Sequence, residues 1–163
     1  MQDSPRTAVR AAQPGDAPEL GRIAIAAKRS WGYPESWIEA WTPILTVDDA
    51  FIGRHAVWVA LDDAATPVGW SALVDDHGRA QLEHLWVLPA HQGRGIGRLL
   101  LDAVVHEAAR RGHTVLHIEA DPYALPFYER QGARAIGSID APVLGLPRTL
   151  PLLEIPLRKE AFR

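Results

Sequence analysis

No cysteine occurs among the 163 residues. That excludes disulfides, thiolate metal sites and a cysteine nucleophile, and it fits a reducing compartment. No apolar run reaches the roughly 18 residues that a membrane-spanning helix needs. The opening residues, MQDSPR, lack the basic-then-apolar pattern of a secretion signal. Net charge is only −3, so no excess of positive charge points to nucleic acid or to an anionic membrane. The expectation is a cytoplasmic protein with neither of those partners, and no metal is expected from the seven histidines. No internal repeat, low-complexity tract or linker divides the chain. Residues 1–163 therefore read as one domain, with 1–6 loose.

What is present is a clear change of period along the chain. Residues 7–12 read as a short strand. Asp16, Pro18 and Glu19 then mark a helix start, with Asp16 and Glu19 spaced as a capping box. Leu20, Ile23, Ala24, Ala27 and Trp31 follow at helical spacing and are expected to face a core. Gly32 breaks this helix, and a second runs from Pro34 to about Trp41, with a further short turn capped near residues 46–49. HAVWVAL, VGWSALV and RAQLEHLWVL are apolar, β-branched runs joined by short polar turns, the pattern of an antiparallel meander. Residues 94–111 are a helix ended by Gly112. HTVLHIEA is a buried strand that returns parallel to residues 80–88 through a right-handed crossover. A last helix opens at Asp121-Pro122, and strands at 133–139 and 149–157 close the chain. The order is β-α-α-β-β-β-α-β-α-β-β, an α/β (α+β) fold with a mostly antiparallel sheet and one parallel β-α-β step.

That step falls on the stretch of most interest, QLEHLWVLPAHQGRGIGRLLL, residues 81–101. A strand that runs through a glycine turn into a helix start is an anion site, because the first N–H groups of the helix lack internal partners. A G-x-G-x-x-G dinucleotide fingerprint fails here. Its third glycine would fall on Arg98 or Leu100. Glu119 lies at about the right distance for a ribose and keeps a nicotinamide reading open. A Walker loop fails because no G-K-[ST] triplet occurs. Three glycines in five residues weaken a helix start by about 1 kcal/mol each relative to alanine, which calls for close approach of a ligand to the backbone.

The run Q-x-x-G-x-G from Gln92 to Gly97 follows a strand ending V-L-P and precedes an apolar helix. It resembles the acyl-CoA signature of the GNAT superfamily of N-acetyltransferases. F-Y-E-R-x-G-A, from Phe127 to Ala133, resembles that family's segment after its fifth strand. KRSWGY and R-T-L-P-L-L-E resemble one bacterial-type group of small GNAT proteins. The resemblance spans roughly residues 7–157 and implies a GNAT-like sheet that splays between residues 80–88 and 113–120. It implies acetyl-CoA as co-substrate. Gln92, Gly93, Arg94, Gly95, Ile96, Gly97 and Arg98 would surround the pyrophosphate, and the backbone of Leu85, Trp86 and Val87 would pair with pantetheine. Asp121, where many relatives carry asparagine, is a further cofactor contact.

Amine acetylation needs a proton removed from the ammonium, donors for the oxyanion and a proton for the leaving thiolate. Tyr128 matches the family's thiolate-protonating tyrosine. Glu83, inside an apolar strand, is the candidate base. His84 and His117 are alternatives, each read more simply as a hydrogen-bonded core residue. Strict alternation puts Gln81, Glu83, Leu85 and Val87 on one face of the strand and Leu82, His84, Trp86 and Leu88 on the other. Trp31, Tyr33 and Trp37 are candidate aromatic walls for the acceptor, a small-molecule or peptide amine. The family pattern also allows a homodimer. The alternative to an enzyme is a CoA-binding regulatory domain without turnover.

Overall fold

A computed structural model of the protein describes residues 7–158. The stretch 1–6, expected to be loose, lies outside the described residues. The elements are β1 Ala8–Ala11, α1 Ala17–Arg29, α2 Glu35–Leu45, α3 Asp49–Arg54, β2 Ala56–Leu61, β3 Pro67–Asp76, β4 Arg79–Val87, α4 Ile96–Arg110, β5 Val115–Glu119, α5 Leu125–Arg130, β6 Arg134–Asp140 and β7 Thr149–Pro156. Short 3-10 turns lie at Pro89–His91 and Pro122–Ala124. One sheet runs in the order β1-β2-β3-β4-β5-β7-β6. Among the described strands every pairing is antiparallel except β4 with β5. The mixed sheet with a single parallel step is the one that the periodicity predicts.

The core is built on both faces of the central strands. Leu101, Val104 and Ala108 of α4 pack with Leu82, Leu116 and Ile118 on one face. Leu20, Ile23 and Ala24 of α1 pack with Val57, Val59 and Trp70 on the other. Trp70 is fully buried, and its indole N–H donates to the Leu20 carbonyl at 2.8 Å. A buried indole needs such a partner, so this bond fixes α1 against β3.

Local expectations fail where tertiary contacts compete. The capping box does not form: the Asp16 carboxylate accepts from Arg10 and from the Gln13 N–H, while Glu19 pairs with Arg22. Helix α1 ends at Arg29, so Trp31 is not a core-facing helical residue. Helix α2 continues through Pro43 to Leu45, because the Thr46 N–H still reaches the Thr42 carbonyl. The short turn near residue 49 is a true helix, α3, capped by Asp48 accepting from the Phe51 N–H.

The largest correction concerns β4. Ala72 pairs with His84 and Leu73 with Leu82, so Glu83 is an extra residue, a β-bulge. The bulge reverses the alternation. Before it, Ala80 and Leu82 face α4; after it, Leu85 and Val87 do, while His84 and Trp86 face α1. Leu82 therefore shares a face with Leu85, not with His84 as strict alternation requires. The bulge also lies where pairing ends. Ala80, Gln81 and Leu82 are matched to Leu116, His117 and Ile118, and the two strands part beyond that point.

Candidate active site

The parting of β4 and β5 opens a cavity of about 500 Å³. Leu85, Trp86 and Val87 form one wall. Gln92, Gly93, Gly95, Gly97 and Arg98 form one end, and Trp31 stands at the other. Tyr128 and the start of α5 close the remaining side. Leu85, Trp86 and Val87 pair with Ser71, Trp70 and Gly69 on the β3 side, so their β5-facing edge is turned to the gap. An extended ligand can add there as a strand.

Gly93 and Gly95 have φ of +78° and +83°, a left-handed backbone that L-residues rarely adopt. Both precede α4, whose N-cap is Gly95. The expected helix-weakening cost therefore does not apply to them; the turn itself requires glycine. A Cβ at either would meet nothing within 4 Å, so the space above the turn is open. Gly97 differs: a Cβ there would lie 3.3 Å from the Phe127 ring, which ties α4 to α5. The first intrahelical bond runs from the Leu99 N–H to Gly95, and the N–H groups before it point out of the helix start, where the dipole favours an anion. The Gln92 side chain turns back to donate to the Val87 carbonyl at 3.1 Å, holding the turn against β4. A phosphate-bearing, extended ligand such as CoA fits this open turn and the gap-facing edge of β4. Ile96 buries its side chain between sheet and helix and offers only backbone, and Arg94 is not among the cavity-lining residues.

Tyr128 is 7% exposed and lines the cavity. Burial, with a further push from Asp121, raises its pKa well above the ordinary phenol value, so it keeps its proton at neutral pH. Glu83 keeps solvent access and is not itself a lining residue. Burial of its carboxyl, then repulsion by Glu119 and Asp76, raises its pKa. His84 is a core residue. It accepts from the Trp86 indole N–H at 3.0 Å, lies against Trp70, and burial lowers its pKa to about 4. His117 has its pKa lowered chiefly by burial, and its Nδ1 has no hydrogen-bond partner among the described residues.

His113 and His117 are four apart, a ligand spacing on a helix, but in an extended chain that separation is about 13 Å. Among the described residues no group of three or more metal-ligating side chains forms.

Of the aromatic candidates, Trp31 lines the cavity, whereas Tyr33 and Trp37 stack together one layer behind it, at 5.9 Å. The sequence reading missed Tyr123, which is 58% exposed and stacks on Trp31 at 5.9 Å and 11°, bridging the two sides of the opening. An exposed aromatic in the turn after β5 was the signal. Asp121 caps that turn by accepting from the Tyr123 N–H, and its carboxylate also binds Lys28, Tyr33 and Arg148.

The acetyltransferase (GNAT) family model matches residues 22–133, a stretch that holds the glycine turn, the splayed strands and Tyr128. The chain belongs to the GNAT superfamily of N-acetyltransferases. Over 105 residues this GNAT chain is 30% identical to the peptidyl-lysine N-acetyltransferase YjaB of Salmonella typhimurium, covering 64% of this chain and 67% of that protein. A GCN5-related N-acetyltransferase of Rhodopseudomonas palustris superposes with a TM-score of 0.78 at 25% identity, covering 96% of this chain and 98% of the other. The PaiA N-acetyltransferase of Thermoplasma acidophilum, in complex with coenzyme A, shares the fold with a TM-score of 0.71 at 18% identity, over 93% and 99% of the two chains. Among the described residues no helix is long and apolar enough to cross a membrane.

Proposed function

We propose that this GNAT protein transfers the acetyl group of acetyl-CoA directly to an amine within a ternary complex. The observation that carries this reading is one continuous cavity. It joins an open helix start and the gap-facing edge of β4 to a buried tyrosine that keeps its proton. Acetyl-CoA supplies an activated acyl thioester. The N–H groups of the turn from Gln92 to Gly97 hold the pyrophosphate, with Arg98 and Arg94 adding positive charge. The edge of Leu85, Trp86 and Val87 orients the pantetheine arm. Tyr128 donates its hydroxyl proton to the departing sulfur. Glu83, whose raised pKa brings it closer to neutrality, takes the proton of the acceptor ammonium through water. Trp31 and Tyr123 flank the acceptor.

Thermal melting and thiol release with a panel of amines test the proposal. Acetyl-CoA should raise the melting temperature, since it binds the native state only. Tyr128→Phe should keep that rise and lower kcat by about 10²-fold or more. Glu83→Gln should remove the acid limb of the pH–rate profile. A melting shift with no thiol release from any amine would indicate a CoA-binding domain without turnover. Unchanged turnover in Tyr128→Phe across pH would end the proton-donor assignment.

A further inference from the structure

The cavity wall holds two arginines, and acetyl transfer as described employs only one of them. Arg98 stands in the first turn of α4, and Arg130 is the last residue of α5. No aspartate, glutamate, lysine or histidine is among the described residues that line the cavity. Asp102 and Glu129, the acids nearest to the two arginines along the chain, are not lining residues. The cavity therefore carries positive charge and no anion of its own. Both arginines are exposed, and neither guanidinium pairs with another described residue. Elsewhere the pattern differs: Arg10, Arg22, Arg29, Arg110 and Arg148 each hold a carboxylate. The two cavity arginines keep their forks open.

The place of Arg130 follows from the packing of α5 on the glycine turn. A Cβ at Gly97 would lie 3.3 Å from the Phe127 ring, so the start of α4 rests on the residue one turn before Arg130. Phe127, Arg130 and Gln131 are three and four positions apart, which makes them one stripe of α5, and all three line the cavity. Tyr128 is buried and leaves the helix on another side. Arg130 thus belongs to the stripe that meets the turn, while Trp31 and Tyr123 stand at the acceptor end.

CoA carries a pyrophosphate and, on its ribose, a separate 3′-phosphate. The N–H groups from Gln92 to Gly97 are committed to the pyrophosphate in the reading above. The 3′-phosphate then needs side chains. As a monoester its second pKa is about 6, so it is close to a dianion at neutral pH. A guanidinium fork matches two phosphate oxygens with parallel hydrogen bonds.

We propose that Arg130 binds the ribose 3′-phosphate of CoA, so that the protein selects CoA over donors that lack this phosphate. The inference rests on the acetyl-transfer reading and adds to it a residue that sets donor specificity.

The test compares CoA with 3′-dephospho-CoA as ligands of the full chain, by calorimetric titration and by melting shift, neither of which needs turnover. CoA should bind at least about tenfold more tightly, as a charge-assisted contact warrants. Arg130→Gln should bring CoA down to 3′-dephospho-CoA and leave affinity for the latter unchanged. Arg130→Lys should restore part of the difference, because it keeps the charge and loses the fork. Added salt should shrink the advantage of CoA, since the guanidinium is exposed. Equal affinity of the two ligands for the unmodified protein would overturn the inference. So would an Arg130→Gln variant that weakens both ligands alike, or one that keeps the full preference for CoA. Failure of the acetyl-transfer reading has a different sign: neither ligand would bind, and the inference would fall with it.

Discussion

One end of the cavity is lined by a single run of chain, residues 92–98, whereas a buried charged cluster beside the cavity-lining Trp31 and Trp86 draws side chains from four segments. The glycine turn needs no side-chain partner from afar to take its shape; its left-handed residues and the helix start after it define the site locally. The charged cluster is assembled from Lys28, Tyr33, Asp121 and Arg148. There Lys28 reaches a carboxylate 93 positions along the chain, and Arg148 reaches a hydroxyl 115 positions away. A backbone site tolerates wide change around it and serves a constant ligand. A side-chain cluster changes with any one of its members.

The contrast predicts different responses to mutation. The largest effect is expected at Asp121, whose removal leaves two buried cations facing each other. Asp121→Ala should cost about 3–5 kcal/mol of stability in denaturant unfolding, and a loss under about 1 kcal/mol would mean that the cluster is hydrated rather than buried.

Acid should act next, through the buried His84 packed against Trp70 and Trp86. Its pKa is lowered from the ordinary value to about 4, so its contribution is complete above pH 6.5 and is lost as pH falls towards 4. Unfolding free energy should drop by about 3 kcal/mol across that window from this group, and His84→Gln should flatten the slope. The glycine turn should respond least in stability. Gly95→Ala forces a side chain into a left-handed backbone at a cost of about 1–2 kcal/mol, yet it should sharply reduce the melting shift given by acetyl-CoA. A variant that lost stability and kept the full shift would break the distinction between the two regions.

The same contrast explains what could be read in advance. Strand and helix order followed from hydrophobic period, and the glycine turn and Tyr128 from short contiguous motifs. The reversal of faces along β4 could not be read, because the bulge at Glu83 arises from pairing with β3, which residues 79–87 do not reveal by themselves. The capping box failed for a similar reason: Arg10, brought close by β1, bound Asp16 more favourably than the helix N–H groups did. Tyr33 and Trp37 looked like a substrate wall, but the cation beside Tyr33 and its neighbour Trp41 is the chain's own Lys28.

By itself, then, the sequence determined the sheet's single parallel step, the glycine turn from Gln92 to Gly97 and the position of Tyr128 in its motif, because each depends on residues within a few positions of one another. Only the tertiary structure decided which face each β4 residue takes, how far β4 and β5 part, and that Lys28, Tyr33, Asp121 and Arg148 meet. Those outcomes depend on strand register and on the burial of charges that come together only when distant segments pack, and neither leaves a periodic trace along the chain.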